Sequence, residues 1–198
     1  MLAEAFSVWG SPVTWLEIVA FWLSIAMVLA NMRVNPVAWP LAIASSLLYA
    51  LLFANSKLYG EAGLQFVFIA LAVWGWWQWL RARDAAGAAL KISTLPTPVR
   101  WAALAATLAA WPLLGLFLAR ATDSDVPYFD ALPTVASITG TLLLARKHLE
   151  NWAVWFVVNV ISVALFAYKS LWLTVLLYAL FALMSLLGWR AWQRQLAR

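Results

Sequence analysis

A tryptophan and asparagine pattern in one apolar stretch holds the side chains best suited to chemistry. The stretch is NWAVWFVVNVISVALFAY, residues 151–168, and it carries Trp152, Trp155 and Asn159. Spacings of three and seven residues place these side chains within an arc of about 60° on one helix face. An amide in hydrocarbon is costly unless it finds a partner, which could be a neighbouring helix or a bound ligand. The chemistry that this face offers is therefore stacking and hydrogen bonding.

The composition of the chain indicates the environment of the helix that carries this face. The chain has 198 residues, of which 66% are hydrophobic and 11% charged, and its mean hydropathy is +0.86. A soluble domain has about 25% charged residues, so the sequence predicts an all-α integral membrane protein that lies in a lipid bilayer as a single membrane domain, residues 1–198. The net charge of +5 comes from basic residues at the ends of apolar segments, which indicates membrane topology and no nucleic-acid partner. The absence of cysteine excludes disulfides and thiolate metal sites.

Seven apolar segments are long enough to be membrane-spanning helices, each needing roughly 20 residues. The predicted spans are Trp15–Met32, Pro36–Phe53, Gly60–Leu80, Val99–Leu118, Phe129–Ala145, Asn151–Tyr168 and Leu171–Trp192. The longest connector, residues 81–98, contains one glycine and two prolines and is predicted to be an irregular loop.

The distribution of lysine and arginine predicts the orientation of these spans. With the N-terminus outside, ten basic residues fall in inside segments and three, Lys57, Arg120 and Lys169, fall outside. Cytoplasmic loops carry the excess of basic residues. The sequence therefore predicts the N-terminus outside and the C-terminus inside.

An internal repeat appears when the first half of the chain is shifted by 113 positions. The shift pairs Trp39 with Trp152, the dipeptide at 75–76 with that at 188–189 (both Gly-Trp), and Trp79 with Trp192. We therefore predict repeat one at about 15–81, a linking helix at about 99–118 and repeat two at about 128–193. One linking helix makes the two three-helix repeats parallel, giving a 3+1+3 arrangement. This is a known plan of transporters, which bind substrate near mid-membrane between the repeats.

The two repeats differ where a ligand could bind. Position 155 is tryptophan and position 159 is asparagine, whereas the equivalent residues in repeat one are Ala42 and Ser46. Aromatic walls with neutral polar groups suit a flat heteroaromatic ring that carries hydroxyls and an amide, and cation–π attraction would add to stacking if the ring is cationic. The predicted substrate-binding residues are Trp152, Trp155, Asn159, Gln65, Trp39, Ser46, Tyr49 and Tyr178.

Structural roles for the same residues stay open at this point. Asn159 and Gln65 could bridge helices, Trp152 could anchor the chain at the interface, and Tyr49 could pack. Enzymatic chemistry is disfavoured, because the one histidine, His148, lies in a predicted loop and the sequence has no HExxH motif or phosphate-binding glycine loop. We therefore predict no catalytic residue, no metal and no cofactor.

Longer motifs resemble a known family. The run ENWAVWFVVN with its WxxWxxxN pattern, the preceding ARKHLEN, the later LWLTVLLYALFALMSLLGWRAW and the first-half LYGEAGLQFVFIALAVWGWWQW resemble the PnuC family of bacterial vitamin transporters. The resemblance extends from about residue 15 to 193. It implies a fold like an enlarged, full-length SWEET sugar transporter in the bacterial inner membrane. In this resemblance Trp152, Trp155 and Asn159 match the family's substrate motif, and Gln65 matches a further position.

The resemblance also implies a substrate and a mechanism. The usual substrate of the family is nicotinamide riboside, taken up by facilitated diffusion and then phosphorylated by a cytoplasmic kinase, which gives uptake its direction. Its ring is flat and cationic, in agreement with the predicted pocket. Relatives that carry thiamine or riboflavin leave those vitamins as alternatives, and a non-transporting membrane scaffold is the alternative from another class. The resemblance further suggests a homotrimer.

Overall fold

The computed structural model describes residues 4–8, 11–55, 59–83, 87–122, 125–168 and 172–197. A two-stranded antiparallel hairpin, β1 (Glu4–Val8) and β2 (Ser11–Thr14), precedes the helices. Seven helices follow: α1 Trp15–Met32, α2 Ala38–Asn55, α3 Tyr59–Arg81, α4 Thr97–Ala121, α5 Pro127–Ala145, α6 Asn151–Tyr168 and α7 Trp172–Leu196. The predicted all-helical membrane fold is thus observed, with the hairpin as an addition that the sequence analysis did not foresee.

The predicted spans agree closely with these helices. In the described residues, six helices are long and apolar enough to cross a membrane. The apolar segment of α2, Ala38–Leu52, is shorter. Helix α2 starts two residues later than predicted, whereas α4 and α5 start two residues earlier. Prolines occupy the first turn of both, at Pro98 and Pro127. Proline fits there because the first N–H groups of a helix have no intrahelical partner.

Six of the helices form a closed ring. In order around the ring, α1 packs on α2, α2 on α3, α3 on α5, α5 on α6, α6 on α7, and α7 on α1. We call α1–α3 the first half and α5–α7 the second half. The halves therefore meet along two lines, α3 against α5 and α1 against α7, while α4 packs on α5.

The corners that follow α1 and α5 have the same geometry. Val34 has φ 54° at the first corner and Lys147 has φ 57° at the second, 113 residues later. The N–H groups of Val34 and Asn35 donate to carbonyls in the last turn of α1 at 3.0 Å, and those of Lys147 and His148 donate to carbonyls near the end of α5 at 2.9 Å. This is the Schellman arrangement, which pairs carbonyls that the helix end leaves free.

Four buried tryptophans fill the ring at one end, and we call them the tryptophan plug: Trp39, Trp79, Trp152 and Trp192. Within the first half, Trp39 and Trp79 make an edge-to-face contact with ring centroids 5.4 Å apart. Within the second half, Trp152 and Trp192 make the same contact at 5.7 Å. Trp79 and Trp192 meet across the two halves at 6.4 Å.

Arginine and lysine residues surround this end of the ring. Arg33 follows α1, Arg81 ends α3, Arg146 and Lys147 follow α5, and Arg190 lies near the end of α7. We call it the basic end. The site described next lies between the plug and the opposite end.

Candidate binding site

Asn159 is buried on α6 and forms a hydrogen bond to α7. Its Nδ2 donates to Oγ of Ser185 at 3.2 Å, and that hydroxyl donates to the carbonyl of Phe181 at 2.8 Å. Both Asn159 and Ser185 are buried. An asparagine amide has two N–H donors and a carbonyl acceptor, so this one bond does not use its full hydrogen-bonding capacity.

Trp155 lies one turn before Asn159 on the same helix, and its indole rests against α5. A Cβ added to Gly140 would lie 3.2 Å from the Cε2 and Nε1 atoms of Trp155. The ring therefore packs directly on the backbone of α5, and the residue is half-buried. Glycine at position 140 sets the depth at which this aromatic surface is held.

Trp39 and Trp152 lie in the tryptophan plug, closer to the basic end than Trp155 and Asn159. Both are 3% exposed. Trp39 sits on Gly75 and Trp152 on Gly188, where an added Cβ would overlap the indole rings. These two predicted residues therefore pack against the chain itself in this conformation.

Two tyrosines lie on the other side of Asn159, towards the end opposite the plug. Tyr49 on α2 has Ser24 as a side-chain hydrogen-bond partner and lies near Tyr178 on α7. Ser24 also shares a 2.9 Å hydrogen bond with Ser45. Tyr178 stacks on Phe166 with centroids 5.0 Å apart and meets Phe181 edge to face at 6.0 Å. The structure thus brings the two predicted tyrosines close to one another, from opposite halves of the ring.

The remaining predicted residues, Gln65 on α3 and Ser46 on α2, are half-buried. Ser46 follows Ser45, which belongs to the buried hydroxyl pair with Ser24. The equivalent of Gln65 in the second half is Tyr178, so both positions lie on the last helix of their half. The role of Gln65 and Ser46 in binding stays a prediction.

Sequence reasoning missed Gly140, Ser24 and Ser185, which support the predicted residues. Ser185 and Ser24 each bond the carbonyl four residues earlier in their own helix, which satisfies a hydroxyl within an apolar environment. A signal for Ser185 existed, because the equivalent residue in the first half is Ala72. The second half therefore has a polar residue where the first half has a small apolar one, at the same level as Asn159.

The connector between α3 and α4 is attached to the corner between α5 and α6. Ser93 and His148 form an isolated parallel bridge, and Ser93 Oγ lies 3.0 Å from Nδ1 of His148. Glu150 accepts from the backbone N–H of Leu95 at 3.0 Å and forms a 2.8 Å ion pair with Arg100. A cavity of about 200 Å³ lies beside this contact. The predicted irregular loop is therefore held in place at the basic end.

Burial changes the ionisation of two groups at this corner. Burial lowers the pKa of His148 below its ordinary value of 6.5; Glu150 opposes this effect and Arg146 adds to it. Burial also lowers the pKa of Lys147, whose Nζ donates to the carbonyl of Leu90 at 2.9 Å and lies 5.1 Å from the ring centroid of Trp79.

The described residues contain no group of three or more histidine, cysteine, aspartate or glutamate side chains that could hold a metal ion. The polar side chains named around Asn159 and Trp155 are hydroxyls and amides, which bind and orient a solute without forming covalent bonds to it. The arrangement suits recognition of a neutral or cationic aromatic solute.

Known proteins resemble this chain over most of its length. A family model described as "Nicotinamide mononucleotide transporter" matches residues 14–194. The nicotinamide riboside transporter PnuC of Escherichia coli (strain K12) is 30% identical over 169 residues, covering 73% of this chain and 71% of that protein. The riboflavin/roseoflavin transporter RibM of Streptomyces davaonensis is 28% identical over 193 residues, covering 96% of this chain and 90% of that protein. A crystal structure of the vitamin B3 transporter PnuC superposes with a TM-score of 0.76 at 24% identity and covers 93% of this chain and 83% of that one.

Proposed function

Because the chain belongs to the nicotinamide mononucleotide transporter family, a family of membrane transporters rather than enzymes, we propose that it carries nicotinamide riboside across the bacterial inner membrane. The observation that carries the proposal is the 30% identity to a nicotinamide riboside transporter across 73% of this chain. Transport is by facilitated diffusion, and phosphorylation by a cytoplasmic kinase gives the uptake its direction.

The predicted site supports this substrate in chemical terms. Nicotinamide riboside presents a flat cationic ring, a carboxamide and ribose hydroxyls. The half-buried indole of Trp155 offers a face for the ring. The amide of Asn159 has hydrogen-bonding capacity beyond its bond to Ser185. Gln65, Ser46, Tyr49 and Tyr178 complete the proposed site, with Trp39 and Trp152 bounding it on the side of the plug.

The neutral character of the site favours the riboside over its phosphorylated form. A phosphate group is held in proteins by arginine, lysine or helix N-termini. The side chains named around Asn159 carry no positive charge, whereas the arginines described above lie at the basic end. The proposed substrate is therefore the riboside, although the family description names the mononucleotide.

We also propose that two parallel three-helix repeats, joined by α4, form a SWEET-like 3+1+3 bundle. Several features support this duplication at an offset of 113 residues. Helices α2 and α6 have the same length, 18 residues, and start 113 positions apart. The Schellman corners are equivalent, and so are the edge-to-face tryptophan pairs. Alternating access would come from rocking of the two halves about the site.

The orientation proposed from the sequence places the basic end in the cytoplasm. Arg33, Arg81, Arg146 and Arg190 lie at that end, and positive residues remain preferentially inside. The N-terminal hairpin would then lie outside. The homotrimer that the resemblance suggests is part of the same proposal, and α4 offers a surface for it because it packs on α5 at the edge of the ring.

Riboflavin is a second candidate substrate, favoured by one observation. The riboflavin/roseoflavin transporter RibM aligns with 96% of this chain, a larger share than the riboside transporter does. Thiamine is a further flat cation that the same stacking face could hold. A non-transporting scaffold would bind none of these vitamins.

Thermal unfolding of the purified protein in detergent separates these possibilities. Nicotinamide riboside, its mononucleotide, thiamine and riboflavin are titrated separately, since a ligand that binds only the folded state raises Tm progressively as its concentration increases above Kd. We expect a concentration-dependent rise with the riboside and none with the mononucleotide. A rise with riboflavin or thiamine alone would replace the proposed substrate, and no rise with any vitamin would favour the scaffold.

A further inference from the structure

We propose that the tryptophan plug is the inner gate of the transport path, with Trp79 and Trp192 as the two residues that latch it closed. This inference rests on the proposed transport function. It goes beyond it by naming the residues that must separate when the basic end opens. Four observations support the assignment: the hydrogen bonds that cross between the halves, the line along which the plug divides, the unpaired indole nitrogens, and the position of the plug.

The indoles of Trp79 and Trp192 each donate a hydrogen bond from one half of the ring to the other. Nε1 of Trp79, on α3, donates to the carbonyl of Leu144, on α5, at 3.1 Å. Nε1 of Trp192, on α7, donates to the carbonyl of Asn31, on α1, at 3.0 Å. The halves meet along α3 with α5 and along α1 with α7, so one indole hydrogen bond crosses each line of contact. A longer hydrogen bond, from Nε2 of Gln195 to the carbonyl of Met32 at 3.4 Å, also joins α7 to α1.

Each half of the ring contributes one tryptophan pair to the plug. Trp39 packs on Trp79 and sits on Gly75, and all three residues belong to the first half. The equivalent residues of the second half make the equivalent contacts. If the halves rock as rigid units, each carries its own tryptophan pair with it. The contacts to be broken then include the two indole hydrogen bonds, the meeting of Trp79 with Trp192 at 6.4 Å and the approach of Lys147 Nζ to Trp79 at 5.1 Å.

The closed plug leaves polar atoms unpaired. Nε1 of Trp39 and Nε1 of Trp152 are buried without a hydrogen-bond partner in the described part of the chain. A buried N–H that has lost its water partners is unfavourable. The closed state therefore combines two satisfied indoles with two unsatisfied ones. A few interactions can therefore shift the equilibrium between the closed and the open state, as an alternating gate requires.

The position of the plug matches that of a gate on the inner side. All four tryptophans are buried, the most exposed being Trp79 at 8%, so they close the ring between the site and the basic end. Lys147 covers the plug, with its Nζ 5.1 Å from the ring centroid of Trp79. A solute held at Asn159 would have to pass this level to leave through the basic end.

Replacing Trp79 and Trp192 by phenylalanine tests the gate, because phenylalanine keeps an aromatic ring and lacks the indole N–H. The chain has no cysteine, so Ala42→Cys supplies a single reporter thiol. Ala42 follows Trp39 by one turn of α2 and packs against the buried cluster that contains the plug. In vesicles of known orientation, Trp79→Phe with Trp192→Phe should raise the rate of labelling by a membrane-impermeant thiol reagent, from the basic-end side, by about tenfold.

Trp111→Phe is the matched control. Nε1 of Trp111 donates to the carbonyl of Tyr128 at 2.6 Å, between α4 and α5, which is the same chemistry away from the contact between the halves. Labelling should stay unchanged in this variant. An equal rise in the control would show general loosening and overturn the gate, as would an unchanged rate in the folded double variant or a rise only from the opposite side.

Labelling of the single variants, and labelling without substrate, cover the cases in which the double variant does not fold or no vitamin binds. If the double variant does not fold, the single variants Trp79→Phe and Trp192→Phe are compared with Trp111→Phe, and the absence of a rise in both overturns the proposal. The labelling requires no substrate. A protein whose Tm responds to none of the vitamins would therefore contradict the proposed function, while labelling still decides whether the plug opens.

Discussion

The Nδ2 of Asn159 donates to the hydroxyl of Ser185 at 3.2 Å and joins α6 to α7 at a level where the first half has Ser46 and Ala72. The pair can be understood in two ways. It can be a polar bridge that holds two helices, or it can be a bridge that fixes the amide for a ligand. The two functions predict different consequences for the two residues.

Asn159→Ala should weaken nicotinamide riboside binding by about 10-fold to 100-fold, since a lost hydrogen bond in a desolvated site costs about 1.4–2.7 kcal/mol. Ser185→Ala keeps the amide and removes only its orienting partner, so the expected loss of affinity is smaller. Calorimetric titration of both purified variants measures the difference. Equal losses of Tm with unchanged affinity in both variants would show that the pair only bridges helices.

Gly75→Ala and Gly188→Ala should each destabilise the protein by about 1–3 kcal/mol, the usual cost of overpacking. The new Cβ would overlap the indole of Trp39 or Trp152, and both rings are held by the rest of the plug. Thermal unfolding in detergent, with the vitamins omitted, measures the effect.

Gly63→Ala on α3 provides the control for this pair. Among the described residues, and apart from the adjoining backbone of α3, a Cβ at Gly63 would have no atom within 4 Å. Alanine is favoured over glycine within a helix by about 0.5–1 kcal/mol. This variant should be as stable as the parent protein or slightly more so. Comparable destabilisation of all three variants would mean that the Gly–Trp contacts are not specific.

The sequence predicted the helices well because their signal is local. A run of apolar residues long enough to cross a bilayer reveals a span without knowledge of its neighbours, and α1 and α6 have the predicted bounds. The offset of 113 residues also anticipated the equivalence of the two corners, although positive φ at Val34 and Lys147 has no signal in residue type.

Long-range contacts were the part that the sequence could not supply. Helical periodicity placed Trp152 and Trp155 on one face, but it cannot tell which neighbour covers each ring. The structure packs Trp152 on Gly188 and Trp155 on Gly140. The contact between Ser93 and His148 joins residues 55 positions apart, so the connector appeared irregular when considered alone.

Gly140→Ala should weaken riboside binding several-fold, an effect of about 1 kcal/mol, with a smaller effect on stability than the plug variants. A Cβ 3.2 Å from two atoms of Trp155 is tighter than an ordinary contact, so the indole must shift by a few tenths of an ångström. The affinity is measured by calorimetry in four proteins: the parent, Gly140→Ala, Trp155→Ala and the double variant. If Gly140 acts through the indole, its substitution should have no further effect once Trp155 is removed.

Stability should fall as the pH decreases through about 6.5, the ordinary pKa of histidine, and His148 should account for part of the fall. Burial lowers the pKa of His148 in the folded protein, so the unfolded chain binds a proton at a higher pH than the folded chain does. Protonation therefore favours unfolding, and stability is greatest at pH values above the unfolded pKa. Neutral His148 also keeps its 3.0 Å contact with Ser93 Oγ, while Arg146 disfavours and Glu150 favours the charged form.

His148→Gln removes this titration while it retains a polar side chain beside Ser93. The chain has one histidine, so the difference in Tm between parent and variant, measured from pH 8 to pH 5, isolates the effect from the carboxylates that both proteins share. We expect the difference to shift in favour of the variant as the pH falls, because only the parent takes up a proton at this corner on unfolding. A difference that is constant across this range, or that shifts in favour of the parent, would contradict a lowered pKa at His148.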